Sequence, residues 1–248
     1  MYKEIKPSKA IDYVIDTFWT FSKNKSAESF KVLPDTCTDL IFDLNRNMAF
    51  LSGAMTQYQS RELMTDSEII GVRFKIEKFS SLSKTPLHYT KNLRVELNEI
   101  ISSKHLEPLN GLGDFERLEQ KINFLENFIG TLHRQNFHNQ DQMVLSSSQN
   151  IRSLKGIVNV KELATSHHIG LRQFERRFKS FMGLTVKEFS NIVRFNNAKQ
   201  SIESLSKSSL LEIAFNTGFF DHSHMTNEFK RISGQNPSSF RECRFFTK

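Results

Sequence analysis

The chain has 248 residues, 38% hydrophobic and 25% charged, with a net charge of +7, which is enough for about two domains with buried cores. Its two cysteines, Cys37 and Cys243, give no disulfide framework. No apolar run is long enough to span a membrane and no signal-peptide pattern opens the chain, so a cytoplasmic protein is expected. The charge is unevenly spread. Residues 141–248 hold 16 Lys+Arg and 9 Asp+Glu, while the first 140 residues hold 18 of each. All the excess positive charge sits in the C-terminal part, the footprint of a domain that meets a polyanion.

Taken in order, the chain opens with Phe18-Trp-Thr-Phe21, which carries the one tryptophan. Such a cluster can line a ligand pocket, but aromatic side chains more often anchor a core. From Ser29 to Ile76 the texture is that of short β runs. Leu40-Ile-Phe-Asp-Leu44 ends in the turn composition Asn45-Arg-Asn47, and Met48-Ala-Phe-Leu51 follows. Gly71-Val-Arg-Phe-Lys-Ile76 alternates strictly, with Val72, Phe74 and Ile76 on one face. These runs predict a small antiparallel sheet or open barrel. Cys37, near Asp39, could be read as a nucleophile, but no histidine lies near it in sequence. A free cysteine on a strand edge is far more often simply buried.

Phe79–Lys84 reads as a short helix ended by Pro86, and Ser102–Gly113 as irregular. Asp114 is the expected cap of a helix whose apolar positions Phe115, Leu118, Ile122, Leu125, Ile129 and Leu132 are spaced 3, 4, 3, 4, 3. That is a heptad seam. Two readings stand: a homodimer through these six residues, or a helix packed on its own β domain, which needs only a similar stripe. Phe124 and Phe128 widen the stripe and favour burial on more than one side. Gln135–Gln142 is polar and amide-rich, a linker. The expected organisation is therefore a β-rich domain over 1–134 that ends in an amphipathic helix, a linker over 135–142, and a positively charged second domain over 143–248.

Val144, Ile151 and Leu154 mark the first helix of the last segment. Beyond it, from Val160 to Arg241, one module is written twice. Phe178, Gly183, Val186 and Phe189 return as Phe229, Gly234, Pro237 and Phe240, always 51 residues on, while Leu163 returns as Ile213 after 50. The second copy thus carries one extra residue in its turn. Fixed-period self-similarity means a repeated supersecondary unit, here helix, tight turn, helix. Asn159-Val-Lys-Glu162 is a capping-box pattern that starts a helix at Val160. Leu163 and Ala164 face inward, the turn lies near His168–Gly170, and a second helix runs over Leu171–Met182. Phe174 and Phe178 are one turn apart on its core face, which puts Arg172, Gln173, Arg176 and Lys179 on the other. In the second copy Gly218 makes the turn, Asp221 caps, Met225 and Phe229 face inward, and Ser223, His224, Asn227 and Lys230 face out. Thr185-Val-Lys-Glu188 is another capping box. It opens a long helix to about Leu205, with Phe189, Ile192, Val193 and Ile202 inward. Basic and amide side chains on an exposed helix face suit phosphates and major-groove base edges. His167-His168 and His222-x-His224 lack cysteine or carboxylate partners at zinc-like spacing. No metal or other cofactor is expected, and the first pair reads as surface.

This region resembles the DNA-binding domain of the AraC/XylS family of bacterial transcription regulators. The matching residues are Leu171-Arg-Gln-Phe-Glu-Arg-Arg-Phe178-Lys with Gly183, Arg194…Ala198, Ile213-Ala214…Gly218-Phe219, Asp221…His224, Phe229-Lys230 and Gly234…Pro237…Phe240-Arg241. One departure is Gly170, where the family usually has a Ser-like cap; the exchange costs only a few tenths of a kcal/mol. The N-terminal part is similar to the β-rich domain that some AraC-like regulators carry, through Phe18-Trp19, Pro34-Asp35…Cys37…Asp39-Leu-Ile-Phe42, Gly53 and Gly71-Val-Arg-Phe74. A family branch that adds a four-cysteine zinc site is ruled out by the cysteine count. The fold implied is α+β: an open-barrel-like β domain, a connecting helix, and an all-α domain with two helix-turn-helix modules joined by a long helix. The function implied is sequence-specific DNA binding in transcription regulation, not enzymatic. By family position Arg172, Glu175 and Arg176 would lie near bases in the first module, and His222, Ser223, Thr226 and Asn227 in the second. Gln173 and His224 share those helices, and Arg177, Lys179 and Lys230 are placed for phosphates. Two recognition helices on one DNA face would sit ~34 Å apart. Double-stranded DNA is the expected partner, RNA polymerase a further candidate, and an effector is left open. The alternatives are an N-terminal sensor or enzyme-like module with DNA binding secondary, and a non-specific architectural binder, which the modest charge disfavours.

Overall fold

The computed structural model describes residues 2–23, 28–63, 67–136, 140–204 and 208–242. Cys243, Leu205 and the centre of the expected linker fall outside them. The N-terminal half contains β1 (Tyr2–Ile5), β2 (Ile15–Lys23), β3 (Glu28–Val32), β4 (Cys37–Asp43), β5 (Met48–Ser52), β6 (Gln59–Leu63), β7 (Ser67–Lys75) and β8 (Arg94–Glu96). Six of these form an antiparallel sheet in the order β1-β2-β7-β4-β5-β8, and β3 pairs with β6. The sheet is open, with β1 and β8 at its edges.

The alternation in β7 does what its pattern requires. Ile70, Val72 and Phe74 enter the main core together with Phe18, Leu40 and Phe42 from the neighbouring strands. The opposite face holds a smaller cluster of Trp19, Ile41 and Ile69. Trp19 is 6% exposed and its Nε1 donates to Asp39 Oδ1 at 2.9 Å. Arg73 Nε is 3.1 Å from the same carboxylate oxygen. Trp19 packs so closely over Gly71 that no Cβ fits there. The tryptophan is therefore a structural anchor. Cys37 is half-buried; desolvation and the Asp35 charge push its thiol well above the usual range, which disfavours the thiolate a nucleophile needs.

Three element boundaries differ from the expectation. Ile76 starts a short helix, α1 (Ile76–Phe79), followed by a 3-10 turn at Ser80–Leu82, rather than ending the strand. Behind α2 (Leu97–Ile100), the stretch expected to be irregular holds α3 (Ser103–Leu106) and a 3-10 run over Glu107–Asp114. Asp114 closes that run instead of capping the next helix, because Phe115 is extended (φ −76°, ψ 128°). The next helix, α4 (Leu118–Asn136), begins after Arg117, whose carbonyl accepts from Gln120 and Lys121.

The heptad seam lies inside the protomer. Ile122, Leu125, Ile129 and Leu132 are buried in the main core; Leu118 and Phe115 are half-exposed, and Phe115 packs on Phe124. Lys121 Nζ pairs with Glu68 at 3.0 Å, and Glu126 accepts from the backbone and hydroxyl of Ser8. Four of the six stripe side chains are thus covered by their own chain, which is the packing of the second reading.

The helical half contains α5 (Gln142–Ser153), α6 (Val160–Ser166), α7 (Leu171–Met182), α8 (Val186–Ser204), α9 (Leu210–Asn216), α10 (His222–Ser233) and α11 (Ser239–Glu242). Val144 and Ile151 of α5 are buried, while Leu154, expected within this helix, caps its end and is 49% exposed. The main core does not stop at residues 135–142. It runs from the sheet through α4 to Val144, Ile151, Phe174, Phe178, Phe189 and Ile192. A separate core joins Phe195, Ala198 and Ile202 of α8 to Ile213, Ala214, Met225, Phe229 and Phe240, with Leu33 packed against it. The first helix-turn-helix module thus shares its core with the N-terminal half, and the second has its own.

Candidate nucleic-acid interface

Each module is fixed locally by the signals in its sequence. Asn159 caps α6, its side chain accepting from the Lys161 and Glu162 amides. His168 takes a left-handed conformation (φ 53°) in the turn, and α7 follows. Phe174, Phe178 and Met182 are fully buried on one face of α7. Burying each is worth about 1.5–3 kcal/mol, enough to fix the helix rotation. Arg172, Gln173, Glu175, Arg176 and Lys179 are consequently all exposed. The helix ends at Gly183 in a left-handed cap (φ 73°), its amide bonded to the Lys179 carbonyl. Thr185 and Glu188 then form the capping box of α8, with bonds of 3.1 and 2.8 Å. Lys91 joins Glu188 at 2.9 Å, and these bonds outweigh desolvation to hold its carboxyl below the ordinary range.

The second module repeats the construction with the extra turn residue. Asp221 caps α10, accepting from His224 N at 2.6 Å. Met225 and Phe229 are fully buried, and His222, Ser223, His224, Asn227 and Lys230 are exposed. The helix ends at Gly234 in the same left-handed cap (φ 71°). Arg194 of α8 bridges the modules: its guanidinium donates to the Gly156 carbonyl (3.0 Å) and, more weakly, to Gly218 (3.4 Å).

Four of the expected positions are used differently. Both Nε and an Nη of Arg177 donate to Asp141 Oδ2 at 3.1 and 2.9 Å, so this cation is spent on the N-cap of α5. Thr226 borders the buried face and its Oγ1 is buried, so its hydroxyl is not presented outward. The His224 ring is turned back: Nδ1 accepts from Phe220 N (3.3 Å), and the ring meets Phe219 edge-on. His167 is half-buried rather than free on the surface; it stacks on Phe174 and contacts Ser147 Oγ at 2.9 Å. Sequence reasoning missed the capping box of Ser209 and Glu212 that opens α9, although its Ser-x-x-Glu pattern is present. It also missed Asp141, the cap of α5 and partner of Arg177. Among the described residues no His/Cys/Asp/Glu group could hold a metal ion, and no helix is long and apolar enough to cross a membrane.

Two family models match the sequence. Residues 163–242 match the family described as "Helix-turn-helix domain", and residues 3–96 match a "Domain of unknown function (DUF6597)". The two helix-turn-helix modules and their joining helix fall in the region of the first match. Among curated proteins it is similar to the HTH-type transcriptional activator RhaS of Pectobacterium carotovorum (31% identical over 88 residues; 36% of this chain, 31% of that protein). RhaS of Klebsiella pneumoniae is 32% identical over 84 residues (34% of this chain, 30% of that protein). The chain spans about a third of the length of these relatives. Among solved structures, ToxT of Vibrio cholerae aligns over 97% of this chain and 98% of its own, at 12% identity and a TM-score of 0.44. The C-terminal domain of AraT from Geobacillus stearothermophilus covers 44% of this chain and 90% of its own, at 18% identity and a TM-score of 0.39.

Proposed function

We propose that the chain is a sequence-specific DNA-binding transcription regulator that sets α7 and α10 into successive major-groove segments. The observation that carries this reading is the repetition. Two helices, each pinned by buried apolar side chains and ended by equivalent glycines, present exposed cation, amide and hydroxyl groups on the opposite face. Arg172, Gln173, Glu175 and Arg176 are the base-facing candidates of the first helix, and His222, Ser223 and Asn227 those of the second. Lys179 and Lys230 serve phosphates. Arg177, Thr226 and His224 are assigned to the scaffold by their internal contacts. The likeness to RhaS, a transcriptional activator, supports regulation through bound DNA, with RNA polymerase as the further partner. A cytoplasmic location belongs to the same reading, and association through α4 does not. An enzymatic reading finds no support in Cys37, whose thiol is pushed well above its ordinary range by burial and the Asp35 charge.

The test separates base reading from charge. An Arg bidentate to a guanine is worth about 1–3 kcal/mol of discrimination. Arg176→Ala is expected to weaken a preferred duplex about 5- to 150-fold more than a scrambled one. Lys230→Ala is expected to weaken both alike and lower the salt slope by about one. Equal losses on both duplexes for Arg176→Ala would overturn the claim that α7 reads sequence.

A further inference from the structure

The repeat has a second consequence, at the ends of the recognition helices away from their N-termini. The last carbonyls of a helix have no partner within it. In α7 the Phe181 carbonyl accepts from Ser80 Oγ at 2.7 Å, in competition with the Ile76 carbonyl at 2.8 Å. In α10 the Ile232 carbonyl accepts from the Tyr58 amide at 2.7 Å. Phe181 and Ile232 are 51 residues apart, equivalent positions of the repeat. Two residues further on, the equivalence holds again. A Cβ on Gly183 would stand 2.9 Å from the Leu87 carbonyl oxygen, and one on Gly234 would stand 2.5 Å from the Tyr58 ring. Ser80, Leu87 and Tyr58 all belong to the N-terminal half. It therefore donates to the same carbonyl and packs on the same glycine of each recognition helix. Arg152–Glu77 (3.1 Å), Lys91–Glu188 (2.9 Å) and Asn196 Nδ2 to the Pro34 carbonyl (3.0 Å) add ties to α5 and α8.

We propose that Ser80, Leu87 and Tyr58 are positioning residues for DNA recognition: the N-terminal half grips the C-terminal ends of both recognition helices and so fixes the angle and separation of their base-reading ends. The assignment rests on the DNA-binding reading above. A 12-residue helix is about 18 Å long. A tilt of about 10° at the gripped end moves the other end by about 3 Å, enough to lose a base-edge hydrogen bond. The second module needs this grip more than the first. Its core is separate from the main one, whereas the first module is already continuous with the sheet. Any change in the N-terminal half that moves Tyr58 relative to Ser80 and Leu87 is transmitted to the spacing that the two helices offer to DNA.

The experiment uses the full chain with Cys37 and Cys243 replaced by Ser and spin labels on Gln173→Cys and Asn227→Cys, one on each recognition helix. The distance between the labels is expected to be a single narrow distribution. Tyr58→Ala should broaden it at least about twofold, and Tyr58→Phe, which keeps the ring and the amide, should not. Unlabelled chain is then titrated with a duplex selected by the wild type, with the same duplex carrying a half-turn insertion between its two segments, and with the first-module segment alone. Tyr58→Ala should weaken the selected duplex about tenfold, leave the single segment within about twofold, and reduce the penalty for the insertion. A loss of general stability would instead weaken all three alike. Ser80→Ala is the second variant, acting at the other grip. A folded Tyr58→Ala chain with an unchanged distance distribution and insertion penalty would overturn the proposal. A wild type with the narrow distribution but no preference among duplexes would overturn the DNA-binding reading instead.

Discussion

Ile129 decides between the two uses of the heptad stripe on α4. It is fully buried, in one cluster with Ile11, Leu125 and the sheet residues. Ile129→Ala removes three carbon atoms' worth of transfer free energy, about 2.4 kcal/mol at ~0.8 per buried methylene. The residual cavity brings the expected cost to about 2–5 kcal/mol. Domains are stable by only about 5–15 kcal/mol, so the variant should fold but melt early. With a urea slope near 2.5 kcal/mol/M, the midpoint should fall by about 1–2 M. That midpoint should not depend on protein concentration, because the contacts are within one chain. Asn127→Ala, on the exposed side of the same helix, should stay within about 0.5 kcal/mol of wild type. The measurement is urea unfolding at two protein concentrations about tenfold apart, with light scattering on the native samples. An unchanged midpoint together with a smaller native particle would refute the reasoning and restore the stripe as a dimer seam.

Three further outcomes follow from the packing. Gly183→Ala places a side chain at φ 73°, close to the Leu87 carbonyl; strain alone costs about 1–2 kcal/mol, and thermal denaturation should show a loss at least that large. Arg152→Ala strips Glu77, 4% exposed, of its ion pair and Phe189 of the guanidinium stacked over it; breaking such a pair costs about 3–5 kcal/mol, and Arg152→Ala with Glu77→Gln should recover part of it. Glu188 has a folded-state pKa lowered below its ordinary value, with the Thr185 backbone bond and the Lys91 pair outweighing desolvation. Its contribution is therefore complete above the unfolded-state pKa and is lost as pH falls through the lowered folded one; Glu188→Gln should flatten that part of an acid titration of stability, and an identical acid limb would contradict the assignment.

The helical half was largely legible because its signals are local. Caps at Asn159, Thr185 and Asp221, paired aromatics one turn apart, and glycines at fixed offset each state a backbone requirement within a few residues. The strict alternation of Val72, Phe74 and Ile76 likewise announced their shared face. Legibility failed where structure depends on distant partners. Strand β2 was not recognised, because both of its faces are covered: Phe18 enters one cluster and Trp19 the other. Asp114 has the composition of a cap, but the 3-10 run over Glu107–Asp114 postpones the helix to Leu118. Arg177 has the right face for phosphate, yet Asp141, 36 residues earlier, claims it. The contacts of Tyr58, Ser80 and Leu87 with the recognition helices leave no periodic trace at all, since Tyr58 lies in a loop and the other two in 3-10 segments.

On the proposed function, two helices of one chain read two successive segments of one DNA face. Selection of bound duplexes from a random library by the full chain, followed by sequencing, measures this directly. The expected result is enrichment of a site with two conserved segments whose centres lie about 10–10.5 base pairs apart. Enrichment of a single short segment, or none above non-specific binding at physiological salt, would contradict it.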